Sequence, residues 1–160
     1  MDTSSFLIVG ANGQLGTALK ERYPEARAVG SSELDITDAM AVAKYDWAGI
    51  SVILNAAAYT DVDAAETPEG RLAAWKVNAA GTANLAKAAV QHSLALVHIS
   101  SEYVFDGTQE VHPEDEPVSP LGVYGQTKAA GDAVVSVVPR HYIVRTSWVI
   151  GDGSNFVRTM

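Results

Sequence analysis

Phe6-Leu-Ile-Val9 runs directly into Gly10-Ala-Asn-Gly13-Gln-Leu-Gly16 and continues as Thr17-Ala-Leu-Lys-Glu-Arg-Tyr23. An apolar run, a glycine-punctuated turn and a helical stretch therefore follow one another near the N-terminus. A short, continuous apolar run fits a strand buried on both faces. Glycines at this spacing let the backbone turn sharply, approach a pyrophosphate closely and seat the helix on its strand. The N–H groups at the helix start have no partner inside the helix and face the phosphates. GxxGxxG alone is a weak pattern, but between an N-terminal strand and a helix it predicts a dinucleotide site. Gly10, Asn12, Gly13, Gln14, Leu15 and Gly16 are assigned to it.

Outward from this turn, further short apolar runs occur at 26–29, 51–54, 95–99 and 142–144. Helical patterns separate them. The first covers 14–23, and a second covers 38–46 with Thr37 as its cap. A third extends from Thr67-Pro68-Glu69, an N-cap with proline at the first helical position, to about Gln91 through an alanine-rich stretch that includes Gly70 and Gly81. Strand and helix alternation of this kind predicts parallel strands with right-handed crossovers. The expected fold is α/β, a doubly wound parallel sheet of the NAD(P)-binding Rossmann type, with residues 1–160 as one dinucleotide-binding domain. Segment 106–122, rich in proline and acids, is expected to be a long functional loop. A last helix is expected to begin at Asn155 and to be cut short at Met160, leaving an apolar face at Phe156 and Val157. The domain is therefore expected to be incomplete at its C-terminal end.

Composition narrows the function classes. The chain has 160 residues, 48% of them hydrophobic, and a net charge of −8 with no lysine or arginine cluster, which argues against a nucleic-acid surface. No apolar run approaches the length of a membrane span, and Met-Asp-Thr-Ser-Ser lacks the basic flank of a signal peptide. A cytoplasmic location is the expectation. Cysteine is absent and the four His residues show no metal spacing, so no metal site is expected. Phosphates must be held by backbone N–H groups and single cations.

Tyr124-Gly-Gln-Thr-Lys128 places a phenol and an ammonium on one helix face, one turn apart. An ammonium within about 4–6 Å favours phenolate and is expected to draw the Tyr124 pKa from roughly 10 toward neutrality, making a usable proton donor. Asn55 and the following Ala56, Ala57 and Ala58 end a strand at the carboxyl edge of the sheet, where ligands sit in such folds. Ser101 follows a buried strand. Each has a plainer alternative: a serine or asparagine there starts a turn, an acid before a helix such as Asp35 is commonly a cap, and an aromatic near a strand end is commonly core. The second strand ends Ala28-Val-Gly-Ser-Ser32, with no acid for a ribose 2′-hydroxyl and no arginine for a 2′-phosphate. NADPH is favoured, with NADH use alongside it.

Taken together, the glycine turn, Asn55-Ala-Ala-Ala-Tyr-Thr-Asp-Val-Asp-Ala-Ala-Glu66, Ser100-Ser-Glu-Tyr-Val-Phe-Asp-Gly107, Tyr124-Gly-Gln-Thr-Lys128 and Arg145-Thr-Ser-Trp148 resemble the extended short-chain dehydrogenase/reductases. Within them the similarity is to the dTDP-4-dehydrorhamnose reductase family, and it covers essentially the whole chain. Ser101 and Glu102 stand where relatives carry Thr and Asp. The resemblance implies NAD(P)H-dependent reduction of a nucleotide-sugar C4 ketone, with Ser101, Tyr124 and Lys128 catalytic. It implies cofactor contacts at Ser31, Asp35, Ile36, Asn55, Ala56, Ala57, Ala58, Tyr59 and Asn78 as well as Tyr124 and Lys128, and substrate contacts at Thr60, Tyr103 and Trp148. It allows a Mg2+ ion, a homodimer or a fusion with an epimerase domain. It also implies a missing C-terminal portion that closes over the nucleotide sugar. Two alternatives stay open: another epimerase or dehydratase of the superfamily, since Ser101-Glu102 comes near a dehydratase acid-base pair, and a non-catalytic regulatory subunit.

Overall fold

The computed structural model describes residues 2–151, so the helix expected from Asn155 and the apolar pair Phe156 and Val157 lie outside the described residues. Five strands, β1 (Phe6–Val9), β2 (Arg27–Val29), β3 (Val52–Asn55), β4 (Ala95–Ser101) and β5 (His141–Thr146), form a sheet in the order β2-β1-β3-β4-β5. Every neighbouring pair is parallel. The order turns back on either side of β1, making β1 and β3 the point from which the two halves diverge and where a ligand crevice opens in such sheets. Register sets the shape of that crevice. Val9 pairs with Asn55 and Asn55 with His98, while β4 continues three residues to Ser101, opposite Thr146. At about 3.3 Å per residue the β4–β5 rim stands roughly 10 Å above the ends of β1 and β3.

The strands lie where the apolar runs place them, with shifted ends. All four residues of β1 are buried, as a strand covered on both faces requires. β5 departs from that reading: at the edge of the described sheet, it has Tyr142 and Val144 exposed.

Around the sheet are α1 (Gln14–Arg22), α2 (Ala39–Lys44), α3 (Pro68–Ala74), α4 (Thr82–Gln91) and α5 (Val123–Val135). Thr67 caps α3 as its sequence predicts, accepting from the Gly70 N–H, with Pro68 at the first helical position. Two expectations are corrected. Asp38, not Thr37, caps α2, its carboxylate accepting from the Met40 and Ala41 N–H groups at 2.8 and 3.1 Å, because Thr37 is itself drawn to Asp35. The third helix is not one α-helix. Between α3 and α4 the ladder widens into a π-helical stretch, Trp75–Gly81, and a β-carbon at Gly81 would sit 2.7 Å from the Ile36 side chain. Leu85, Ala86 and Ala89 of α4 pack with Leu7, Val9, Ile53 and Leu96 of the sheet into the main core. Each fully buried leucine or isoleucine there contributes about 2 kcal/mol.

α5 is pressed onto the short 3-10 turn Glu102–Val104 that follows β4. Gly125 permits this, because a β-carbon there would overlap the Tyr103 carbonyl oxygen and lie 3.1 Å from Pro120. Alanine is the better helix former by about 1 kcal/mol, but overpacking against backbone typically costs ~1–3 kcal/mol. Gly125→Ala is therefore expected to lower stability by up to about 2 kcal/mol, read as a lower urea midpoint at unchanged m-value. A midpoint at or above that of the parent protein would contradict the close seat of α5.

Candidate active site

The three glycines of the first turn have different jobs. Gly10 has φ +80° and its β-carbon would lie 2.5 Å from the Ala57 nitrogen, so the turn is packed against the end of β3. A β-carbon at Gly16 would overlap the Gly10 carbonyl and crowd Ala11, which is how α1 comes close to its strand. Gly13 is different. Its φ of −78° suits any residue, and the nearest atom to a β-carbon would be the Gly10 oxygen at 3.5 Å, an ordinary contact. Nothing in the protein demands glycine at 13; the room beside it is open cleft.

α1 starts with no side-chain cap and no acid in its first turn, and carries Lys20 and Arg22 in its last. Its N-terminal amides are thus left for an external acceptor, and the positive end of the helix dipole is unopposed. Gly13, Gln14 and Leu15 form one wall of a cleft of about 520 Å³. Ala56, Ala58 and Thr60 of the segment after β3 line it as well. On the raised side stand Ser101, Tyr103, Tyr124, Lys128 and Trp148. Gln14 Nε2 donates to the Val149 carbonyl at 3.3 Å, joining the start of α1 to the segment after β5.

Ser101, Tyr124 and Lys128 are brought together, but their electrostatics differ from the sequence expectation. Burial raises the Tyr124 phenol above its ordinary value; the nearby Ser101 hydroxyl works against the rise, while Tyr103 and Glu102 add to it. Lys128 does not pull the phenol down. Its ammonium, 1% exposed, donates instead to the Ile99 carbonyl at 2.6 Å. Burial lowers Lys128 to about 8, opposed by the Asp132 carboxylate. Ser101 also caps the turn that follows β4, its hydroxyl accepting from the Tyr103 N–H at 3.2 Å.

Behind Lys128 lies a buried polar cluster that the sequence reading missed. His98 Nε2 is 3.5 Å from Lys128 Nζ and 3.8 Å from Asp132 Oδ1, and His98 Nδ1 is 3.0 Å from Asn55 Nδ2. Arg145 Nε pairs with Asp132 at 3.2 Å. Burial raises the Asp132 carboxyl; the Ser100 hydroxyl, near but outside hydrogen-bond geometry, and the Arg145 and Lys128 charges act against it. One signal was available in the sequence: Asp132 lies four residues after Lys128 on the same helix, the spacing of a facing pair.

Other assigned residues fall elsewhere. Asn78 is buried and its amide is engaged by protein: Oδ1 accepts from the Tyr59 N–H at 2.8 Å, and Nδ2 donates to the Tyr59 carbonyl and to Thr127 Oγ1 at 3.1 and 3.0 Å. It ties Tyr59 to α5 rather than lining the cleft. Asn55 likewise spends its side chain on Ala57 and His98. Asp35 holds Thr37 through its N–H and hydroxyl, both at 2.8 Å, and these bonds keep its carboxyl below the ordinary range. Ile36 is a core residue. Ser31 is exposed beyond β2, and Asn12 lines a second hollow on the outer side of α1. The end of β2 does carry an acid after all, because Glu33 folds back to accept from the Gly30 N–H at 2.8 Å. Among the described residues no group of three or more His, Asp or Glu side chains is placed to hold a metal ion. No helix among them is long and apolar enough to cross a membrane.

Residues 4–160 match the family described as the RmlD substrate binding domain. The chain is 44% identical over 164 residues to a dTDP-4-dehydrorhamnose reductase of Aggregatibacter actinomycetemcomitans, covering 96% of this chain and 55% of that protein. It is 43% identical over 163 residues to that of Mycolicibacterium smegmatis, covering 96% and 49%. Among solved structures it is similar to a dTDP-4-dehydrorhamnose reductase of Clostridium acetobutylicum, with TM-score 0.90, 42% identity and coverage of 96% of this chain and 57% of that one. The Bacillus anthracis reductase in complex with NADP gives TM-score 0.88 and 38% identity, covering 96% and 57%. The chain spans about half the length of the curated relatives it matches.

The buried histidine makes stability pH-dependent. Burial first, and Lys128 second, hold His98 at about 3 instead of 6.5. Between those values the unfolded chain binds a proton that the folded chain refuses, so stability falls as pH drops through that window, by up to about 1.4 kcal/mol per pH unit. His98→Gln removes the titrating group. The slope of unfolding free energy against pH, measured by urea titration between pH 6 and pH 4, is expected to lose about one proton. Equal slopes for the two proteins would show that His98 protonates as readily folded as unfolded.

Proposed function

The chain belongs to the RmlD substrate binding domain family, and on that premise we propose that it carries the cofactor-holding and proton-donating machinery of an NAD(P)H-dependent dTDP-4-dehydrorhamnose reductase, which reduces the C4 ketone of its substrate to dTDP-rhamnose. The observation that supports this most is convergence: Ser101 from the end of β4 and Tyr124 and Lys128 from α5 share one cleft with the uncapped start of α1. A dinucleotide fits the residues present, because the open side of Gly13 admits a phosphate to the first-turn amides and any β-carbon there would occupy that room. Bound there, a reduced nicotinamide supplies the hydride that the ketone carbon accepts.

The chain's own groups handle the oxygen. As negative charge develops on it, the Tyr124 phenol, kept protonated by burial, donates its proton. The Ser101 hydroxyl, on the same cleft wall as that phenol, hydrogen-bonds the same oxygen. Lys128, charged below about pH 8, holds a cofactor hydroxyl and leaves its Ile99 bond as the fixed point of the side chain. Thr60, Tyr103 and Trp148, at the same cleft, contact the nucleotide sugar. Glu33 at the β2 end favours a ribose 2′-hydroxyl, while Ser31 and Ser32 can donate to a 2′-phosphate, so both NADH and NADPH are accepted. A cytoplasmic place of action belongs to the same reading. Magnesium has no cluster among the described residues to hold it.

Glu102 lines the same cleft as Ser101, with its Oε1 accepting from the Ser147 hydroxyl at 2.9 Å; turnover of the ketosugar with NADPH, against dTDP-glucose alone, separates the reductase from the dehydratase alternative.

Two variants test the reading. Gly13→Val is expected to fold as the parent does, since neither φ nor neighbours oppose it, yet to lose NADPH binding by calorimetry; unchanged affinity would refute the phosphate cradle. In a full-length version given dTDP-4-dehydrorhamnose and NADPH, Tyr124→Phe is expected to lower kcat by at least about a hundredfold and leave NADPH affinity near the parent value. A rate within tenfold of the parent would mean that another group supplies the proton.

A further inference from the structure

We propose that Asp132 is a positioning residue that acts through Lys128: its buried carboxylate, anchored by Arg145, is the counter-charge against which the Lys128 ammonium is set. The proposal rests on Lys128 as the cofactor-holding cation of the preceding reading. A buried ammonium needs both hydrogen-bond acceptors and an opposite charge. Ile99 supplies an acceptor but no charge.

His98 supplies neither. The Ala57 N–H donates to Asn55 Oδ1 at 3.2 Å, which fixes the orientation of that amide and turns Asn55 Nδ2 toward His98 Nδ1 at 3.0 Å. Nδ1 must therefore accept, and the imidazole proton sits on Nε2. That is the nitrogen 3.5 Å from Lys128 Nζ and 3.8 Å from Asp132 Oδ1. His98 thus presents a third donor to the cluster. The Asp132 carboxylate pairs directly with Arg145 at 3.2 Å and has His98 Nε2 at 3.8 Å, the nitrogen that is itself 3.5 Å from Lys128 Nζ, so it acts on the ammonium through space, across the imidazole edge, and not as a direct ion pair.

The titratable and charged groups around Lys128 are His98 from β4, Asp132 from its own helix and Arg145 from β5 by way of Asp132, with Tyr124 on the same cleft wall. Glu102 and Tyr103 act on Tyr124, and Glu66 is turned away, accepting from the Val123 N–H at 2.7 Å. Asp132 is the anion positioned to hold Lys128 charged at the pH where a reductase works.

The test reads the Lys128 titration directly, by NMR of lysine side-chain carbons in the ligand-free chain, so it does not depend on any bound cofactor. In the parent the midpoint is expected at about 8. In Asp132→Asn it is expected to fall by at least about one pH unit, and Asp132→Glu is expected to restore it to within about half a unit. NADPH affinity of Asp132→Asn is then expected to weaken at least about threefold more at pH 7.5 than at pH 6, a dependence that a merely structural loss would not produce. An unmoved midpoint in a folded Asp132→Asn protein overturns the proposal. A moved midpoint with pH-independent NADPH binding supports the counter-charge and counts instead against Lys128 as a cofactor-holding group. Should Asp132→Asn not fold, the parent decides: the Lys128 resonances must show a second inflection as the Asp132 carboxyl protonates in acid, and a single inflection overturns the proposal.

Discussion

The seat of α5 on the carboxyl end of β4 is the constraint from which the site follows. Lys128 reaches the Ile99 carbonyl only if helix and strand lie close, and four elements enforce that closeness. Gly125 lets the helix rest on the Tyr103 carbonyl, and Gly131 does the same against the Asn78 carbonyl, where a β-carbon would come within 2.6 Å. Thr127 receives a hydrogen bond from Asn78. At the helix start, where Gly122 offers no side-chain cap, Glu66 reaches in from fifty-seven positions earlier to accept the Val123 N–H. A cap supplied by another element both satisfies an orphaned amide and fixes where the helix begins, one residue before Tyr124.

Those contacts also couple the two walls of the cleft. The segment after β3 lies on the side of the glycine turn, and both backbone groups of Tyr59 are held by the Asn78 amide, whose remaining donor goes to α5. Asn55 makes a second link, joining the Ala57 amide next to Gly10 with His98 beside Lys128. Each link is a buried amide that donates on one side and accepts on the other, so displacing one wall leaves polar groups unpaired in the interior at a cost of about 1–3 kcal/mol each. That cost keeps the cleft walls in fixed relation before any ligand arrives. The π-helical widening at Trp75–Gly81 is part of this arrangement, since Asn78 sits within it, and such widenings commonly mark functional segments.

Most of the architecture was legible because it is carried by local signals. β1, the glycine turn, the Thr67-Pro68 start and the strand-helix alternation are each set by residues within a few positions of one another, and periodicity reads such patterns well. The residues of the cleft wall were legible as types for the same reason: Tyr124 and Lys128 share a helix. What was not legible depends on partners distant in sequence. Asn55 was assigned to the cofactor from its place at the strand end and Asn78 through the family resemblance, yet beside the Ala57 amide two positions on, Asn55 meets His98 43 positions away, and Asn78 meets Tyr59 and Thr127, 19 and 49 positions away. Asp35 and Thr37 bonded to one another, leaving the cap of α2 to Asp38, a choice between adjacent polar residues that sequence cannot rank. The expected coupling of Lys128 to Tyr124 failed on direction: helical spacing puts both on one face, but the Ile99 carbonyl, on another element, decides where the ammonium points.

The loop 106–122, expected to be functional, is bound into the same electrostatic arrangement through Arg145. The Arg145 guanidinium lies over the Phe105 ring at 5.2 Å, Phe105 stacks on His112 at 4.5 Å, and Arg145 Nη1 donates to the Glu114 carbonyl at 3.3 Å. His112 is in turn paired with Glu116 at 2.8 Å. An arginine suits this position better than a lysine, because its planar fork can stack on an aromatic face while its N–H groups bond a carboxylate and a carbonyl at once. The loop thereby fixes the guanidinium from the solvent side, and the guanidinium fixes Asp132 from the interior side. The loop has other anchors, the Ser119 N–H donating to the Val104 carbonyl at 2.8 Å among them, but Arg145 is the one that joins it to the interior, because the same guanidinium that bonds the Glu114 carbonyl also pairs with the buried Asp132 carboxylate.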